Sequence, residues 1–163
     1  MGRKSLRRTV IGVLLVLVGL GAFSGAALAT PPTGNISTTL GRATLPPFHL
    51  RDANFKIKSK TTTDVVTIEQ RFAPGGTTGW HSHPGPAFIL VAQGTITLYD
   101  GDDPTCTPHR YSAGEGFVDA GFGHVHIARN EGTTDVVVYA TYLNVPVGGS
   151  PRIDKPAPGN CPF

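Results

Sequence analysis

From residue 30 onward the chain never repeats apolar residues at i, i+3, i+4 and i+7, so it has no amphipathic helix with a face to bury. It has instead short apolar segments cut off by turns. Val66, Ile68 and Phe72 fall on even positions between polar neighbours, as do Ile96 and Leu98, which is the period-two pattern of strands with one buried face. Phe88 to Val91 and Val136 to Ala140 are continuous apolar runs, the pattern of strands buried on both faces. Turn signals separate these segments at Ala73-Pro74-Gly75-Gly76, Pro84-Gly85-Pro86, Gln93-Gly94, Asp100-Gly101-Asp102-Asp103-Pro104 and Gly114-Glu115-Gly116. With 21 glycines and 14 prolines among 163 residues, the composition points the same way, to an all-β sandwich or barrel.

The first 29 residues read as an address segment. Arg3, Lys4, Arg7 and Arg8 open the chain with no acidic residue among them, an apolar run follows from Val10 to about Phe23, and Ala27-Leu28-Ala29 places small residues at both cleavage-recognition positions. This predicts a secretory signal peptide over residues 1–29, cut after Ala29. The alternative is an uncleaved anchor, for which the apolar run is short of the roughly 20 residues a membrane span needs. Arg7-Arg8 leaves the general secretory and twin-arginine routes both open. The rest divides into an N-terminal arm or edge strand (30–53), a β-barrel (54–145) and an extended strap carrying five prolines (146–163).

Charge narrows the partners. Four of the 14 lysines and arginines lie in the first nine residues, which leaves ten against 11 acidic residues in the exported part. No basic cluster remains for nucleic acid, and no second apolar stretch is long enough to span a bilayer. Two cysteines, Cys106 and Cys161, in a chain bound for an oxidising compartment favour a disulfide; two free thiols or two metal ligands are the alternatives.

Four of the six histidines fall in two alternating pairs, His81-Ser82-His83 and His124-Val125-His126, on segments that read as strand. Residues i and i+2 of a strand point to one face, so each pair can aim two imidazoles into a common space. Two such pairs meeting inside a barrel can surround a metal ion at 2.0–2.1 Å per nitrogen. Neutral imidazole suits zinc, copper, iron and nickel rather than magnesium or calcium. The competing reading is hydrogen-bonded core or surface histidine. The aspartates at 100, 102 and 103 lack the remaining ligands of a calcium loop and read as a polar hairpin tip, and His49 and His109 carry no assigned role.

The segment from Gly75 through Trp80-His81-Ser82-His83-Pro84-Gly85-Pro86-Ala87 to Gly94 resembles the first cupin motif, G-x5-H-x-H-x3,4-E-x6-G. Gly123-His124-Val125-His126-Ile127-Ala128-Arg129-Asn130 resembles the close of the second, G-x2-H-x3-N. The resemblance extends over roughly residues 54–145. It implies a cupin-type double-stranded β-helix, or jelly-roll barrel, with His81, His83 and His126 as ligands of one divalent transition metal (iron, manganese, zinc, copper or nickel). His124 is a candidate fourth ligand if its strand is straight. It also implies a small-molecule ligand or substrate and makes a homodimer unsurprising.

This chain departs from the pattern in three places. Ala87 stands where the family has its glutamate ligand, Gly121 replaces the proline of motif two, and Glu115 occupies that motif's first glycine position. Three neutral imidazoles leave a bound ion its full charge and an open position, the requirement for catalysis. The resemblance thus implies an oxygen-using, dioxygenase-type enzyme on a small molecule. A non-catalytic metal or small-ligand binding module, and a decayed scaffold, are the alternatives. Trp80, Phe88, Phe117, Phe122, Tyr139 and Tyr142 are candidates to line an apolar pocket, although aromatics in a barrel are more often plain core.

Overall fold

A computed structural model describes residues 28–163, so the expected signal peptide, apart from its last two residues, lies outside the described residues. Those residues form twelve strands and no helix. They are β1 (Thr33–Leu45), β2 (Phe48–Arg51), β3 (Lys56–Ser59), β4 (Thr63–Thr77), β5 (His81–Ser82), β6 (Ala87–Gln93), β7 (Thr95–Asp100), β8 (His109–Ser112), β9 (Gly116–Asp119), β10 (His126–Arg129), β11 (Val136–Val145) and β12 (Ile153–Asp154). β2 and β3 make a separate hairpin, while the other ten share one antiparallel sheet.

That sheet folds into two five-stranded halves, β1-β4-β11-β6-β9 and β12-β5-β10-β7-β8, joined through the single pair Thr77↔Arg129. The architecture is an all-β antiparallel barrel, of the kind the resemblance implies. Its core follows the period-two positions. Val66 packs with Ala87, Ala140, Tyr142 and Val145, and Phe72 packs with Val91, Ile96, Val136 and Val138. A third cluster, Trp80, Tyr99 and Ile127, lies beneath the two cysteines.

The two continuous apolar runs behave differently. In β11 the consecutive residues Val136, Val137 and Val138 are all buried, so both faces are covered. In β6 the burial alternates: Ala87 and Val91 are inside, but Phe88 is 38% and Leu90 61% exposed. The expectation of burial on both faces is therefore wrong for β6. An apolar residue on the outer face of a sheet looks the same in sequence as a core residue.

The C-terminal tail is fastened over β5. A Cys106–Cys161 disulfide, with the Cα atoms 5.3 Å apart, fixes its far end, and β12 pairs with β5 through Ile153↔Ser82 and Asp154↔His81. Lys155 N–H donates to the Trp80 carbonyl at 3.0 Å, and the Arg129 guanidinium stacks 3.9 Å over the Phe163 ring. β5, only two residues long, is thus held on both sides, by β12 and by β10. No helix among the described residues is long and apolar enough to cross a membrane.

Candidate metal centre

His81 and His126 are direct partners across the β5–β10 ladder, and His83 follows β5 by one residue. Strand alternation turns His81 and His83 to one side, and the ladder brings His126 to meet them. The ring centroids are 4.8 Å apart for His81–His83, 4.4 Å for His81–His126 and 5.1 Å for His83–His126. All three rings are buried, and one nitrogen from each lies within 4.8 Å of the others.

Two of the rings have a fixed tautomer. A ring nitrogen facing a carbonyl oxygen must carry the proton, because the oxygen can only accept. His81 Nδ1 donates to the Gly79 carbonyl at 2.9 Å and His83 Nδ1 to the Pro151 carbonyl at 2.7 Å, so each leaves Nε2 as a bare lone pair. This is the backbone support that metal-binding histidines ordinarily have. The third, His126, has a buried Nδ1 with no hydrogen-bond partner.

The surroundings keep the cluster uncharged. Burial pushes His81 well below its ordinary value, helped by the His126 and His83 rings and by Arg152. Burial also lowers His83 against the opposing pull of the Pro151 carbonyl and Asp119. His126 is brought down to about 4, chiefly by burial, although Asp119 pulls the other way. Three uncharged imidazoles at neutral pH are the protonation state a metal requires.

A fourth buried group completes the cluster. Asp119, at the end of β9, has its Oδ2 buried without a hydrogen-bond partner, 3.6 Å from both His83 Nε2 and His126 Nδ1. Three histidines and one aspartate therefore form a set whose geometry can hold a metal ion. The sequence reading missed Asp119, because no motif position marks it and its place in the site depends on β6–β9 pairing.

His124 lies apart from the three rings. It precedes β10 in a turn rather than on a strand, is about one-third exposed, and reaches Asp119 Oδ1 at 3.4 Å and Asp100 Oδ1 at 3.6 Å. It forms a second, looser grouping with Asp119 and His126. Of the aromatics, Phe117 and Tyr142 do line the cavity beside the cluster, together with Phe72 and Ile89. Phe122 is exposed on the outside, and Trp80 belongs to the cluster under the strap. The cavity measures about 30 Å³, space for roughly two water-sized groups.

The family model described as a cupin domain matches residues 68–142, which include all three histidines and Asp119. The chain belongs to the cupin superfamily. Among solved structures, this cupin is similar to the polyketide cyclase RemF from Streptomyces resistomycificus, with 15% identity, 77% of this chain and 74% of that chain covered, and a TM-score of 0.52. That likeness is one of fold. A cupin domain from Bordetella pertussis Tohama I shares 20% identity over 71% of this chain and 97% of its own, with a TM-score of 0.47. An oxalate oxidase shares 27% identity over 50% of this cupin, with a TM-score of 0.43; only 42% of the oxalate oxidase chain is covered, so this cupin spans less than half of it. No curated protein matches the sequence.

Proposed function

We propose that this cupin is an exported protein that holds one divalent transition metal on His81, His83 and His126 and works as an oxygen-using, dioxygenase-type enzyme on a small molecule. The observation that carries the reading is the convergence of three buried, uncharged imidazoles, two of them tied by Nδ1 to backbone carbonyls so that Nε2 is free. The residues fit the ion in a second respect: His126 Nδ1 is a buried polar atom to which the protein itself gives no hydrogen-bond partner, and a bound cation would supply a partner for its lone pair. When bound, the ion would supply Lewis-acid or redox chemistry at the cavity. The protein's own part is to hold the His81 and His83 rings in one tautomer, keep all three rings unprotonated and line the space beside them with the apolar side chains of Phe72, Ile89 and Phe117. Imidazole suits iron, zinc, copper and nickel, and manganese is admitted where an oxygen ligand joins the set. Export is supported by the Cys106–Cys161 disulfide, which belongs to oxidising compartments.

The small cavity favours a second reading. Space for about two water-sized groups suits a dissolved gas or water better than an organic substrate, which is what a non-catalytic metal-binding module would show. Metal analysis of untagged protein, followed by oxygen uptake with thiols, flavonols and small diketones, separates the two. Stoichiometric metal with turnover supports the enzyme, and stoichiometric metal without turnover supports the module. Failure to bind any of the five metals on reconstitution would overturn both.

A further inference from the structure

We infer that Asp119 is the carboxylate ligand of this centre, delivered from β9 in place of the glutamate that the first motif carries at position 87. The inference rests on metal binding at the three histidines and says what completes the set. Ala87 and Asp119 are direct partners across the β6–β9 ladder. Side chains of directly opposed residues leave the same face of a sheet with Cβ atoms about 5 Å apart. Ala87 is fully buried and ends at Cβ, so it offers no ligand atom of its own. Asp119, on the opposite strand, presents a carboxylate from the same face and lines the cavity beside the histidines.

The contacts of Asp119 Oδ2 argue for an ion, while Oδ1 carries the hydrogen bonds. Oδ1 is occupied by the Gly121 N–H at 3.0 Å, which fixes the carboxylate plane. Oδ2 points at His83 Nε2, whose ring carries its proton on Nδ1. A carboxylate oxygen and a bare imidazole nitrogen are both acceptors, and facing each other in a buried space they repel unless a cation lies between them. The same oxygen is 3.6 Å from His126 Nδ1, the other orphaned atom of the site. Donors around a tetrahedral ion with 2.0–2.1 Å bonds stand about 3.4 Å apart, close to both separations. A three-imidazole site would rank metals by nitrogen affinity, whereas one with an anionic oxygen also accepts harder ions such as manganese.

The test uses the mature full-length protein stripped with chelator and titrated with Mn²⁺ and Zn²⁺, with binding followed by calorimetry and bound Mn²⁺ by electron paramagnetic resonance. Asp119→Asn keeps the acceptor for Gly121 N–H and removes only the charge. It is expected to weaken Mn²⁺ roughly ten-fold or more and Zn²⁺ by less. Returning the carboxylate to the opposite strand, in Ala87→Glu/Asp119→Ala, is expected to restore Mn²⁺ affinity relative to Asp119→Ala. Unchanged Mn²⁺ affinity in Asp119→Asn overturns the inference. If the single variants fold poorly, the double variant is compared with wild type: Mn²⁺ affinity within about ten-fold of wild type supports the inference, and a folded double variant that keeps Zn²⁺ but loses Mn²⁺ counts against it. Wild-type protein that binds neither metal would instead bring down the three-histidine reading itself, and this inference with it.

Discussion

The imidazole of His83 leans on the C-terminal strap: its Nδ1 donates to the Pro151 carbonyl oxygen at 2.7 Å. Pro151 stands just before β12, and the strap's far end is closed by Cys161. Removing the disulfide with Cys106→Ser/Cys161→Ser is expected to cost stability twice over. The chain-entropy account gives about 4 kcal/mol for a loop spanning 55 residues, on the order of 10 °C in Tm. The loosened strap should also let His83 reorient, so bound metal leaves faster. Thermal unfolding and chelator-competition kinetics read the two effects separately. A lower Tm with an unchanged release rate would show that the strap supports the fold but not the site.

His126→Ala is expected to lose metal far more completely than His124→Ala. His126 is buried within the three-ring cluster, whereas His124 sits in the preceding turn and is shared among Asp119, Asp100 and Asp102. Isothermal titration with Zn²⁺ distinguishes them: the first variant should lose affinity by roughly 100-fold and the second by no more than a few-fold. Equal losses would mean that the ion sits in the Asp119–His124–His126 grouping instead.

What could be read in the sequence was whatever depends on near neighbours along the chain. The pairing of His81 with His83 follows from strand alternation alone, and the turn at Gly94 between β6 and β7 is punctuation any reader can see; the turn expected at Ala73-Pro74-Gly75-Gly76 is instead a bulge inside β4, where a left-handed glycine lets the strand skip register without ending. β1 was harder, because nearly every residue from Thr33 to Leu45 is exposed on both faces and leaves no period-two trace. Its order comes from the backbone ladder with β4, a long-range pairing without a side-chain signature. Asp119 was invisible for a related reason. Its importance lies in being opposite Ala87, and register between strands separated by some thirty residues is a property of the folded sheet.

Asp64 ties three parts of the molecule together. Its buried carboxylate accepts from Thr44 Oγ1 at 2.7 Å, the Gly148 N–H at 2.9 Å and Arg42 Nη1, linking β1, β4 and the segment after β11. The Thr44 hydroxyl, the Gly148 N–H and the Arg42 guanidinium hold the carboxyl below its ordinary 3.8. A group with a depressed folded-state value stabilises the protein above its unfolded value and loses that contribution as pH falls through the folded one. Asp64→Asn should therefore unfold at lower temperature than wild type at pH 7. The gap should narrow as the pH drops below 3.8, the ordinary value. Melting curves from pH 7 to pH 2 provide the check, and a gap of constant width would mean that the carboxylate's charge is irrelevant.

Restoring the proline of the second motif, by Gly121→Pro, is expected to damage this chain. Gly121 has φ +69°, in the left-handed region, while proline is confined near −65°. A Cβ at this position would meet the Gly85 carbonyl oxygen at 1.9 Å, and proline would also remove the N–H that fixes Asp119 Oδ1. Gly121→Ala meets the same collision but keeps the N–H, so comparing the two separates backbone strain from loss of the Asp119 contact. Both should lower Tm, and among the folded fraction only Gly121→Pro should weaken Mn²⁺ further by freeing the carboxylate. A Gly121→Pro protein with wild-type Tm and wild-type Mn²⁺ affinity would show that the turn between Asp119 and His124 can adopt the family geometry, and that its glycine is not what positions the carboxylate.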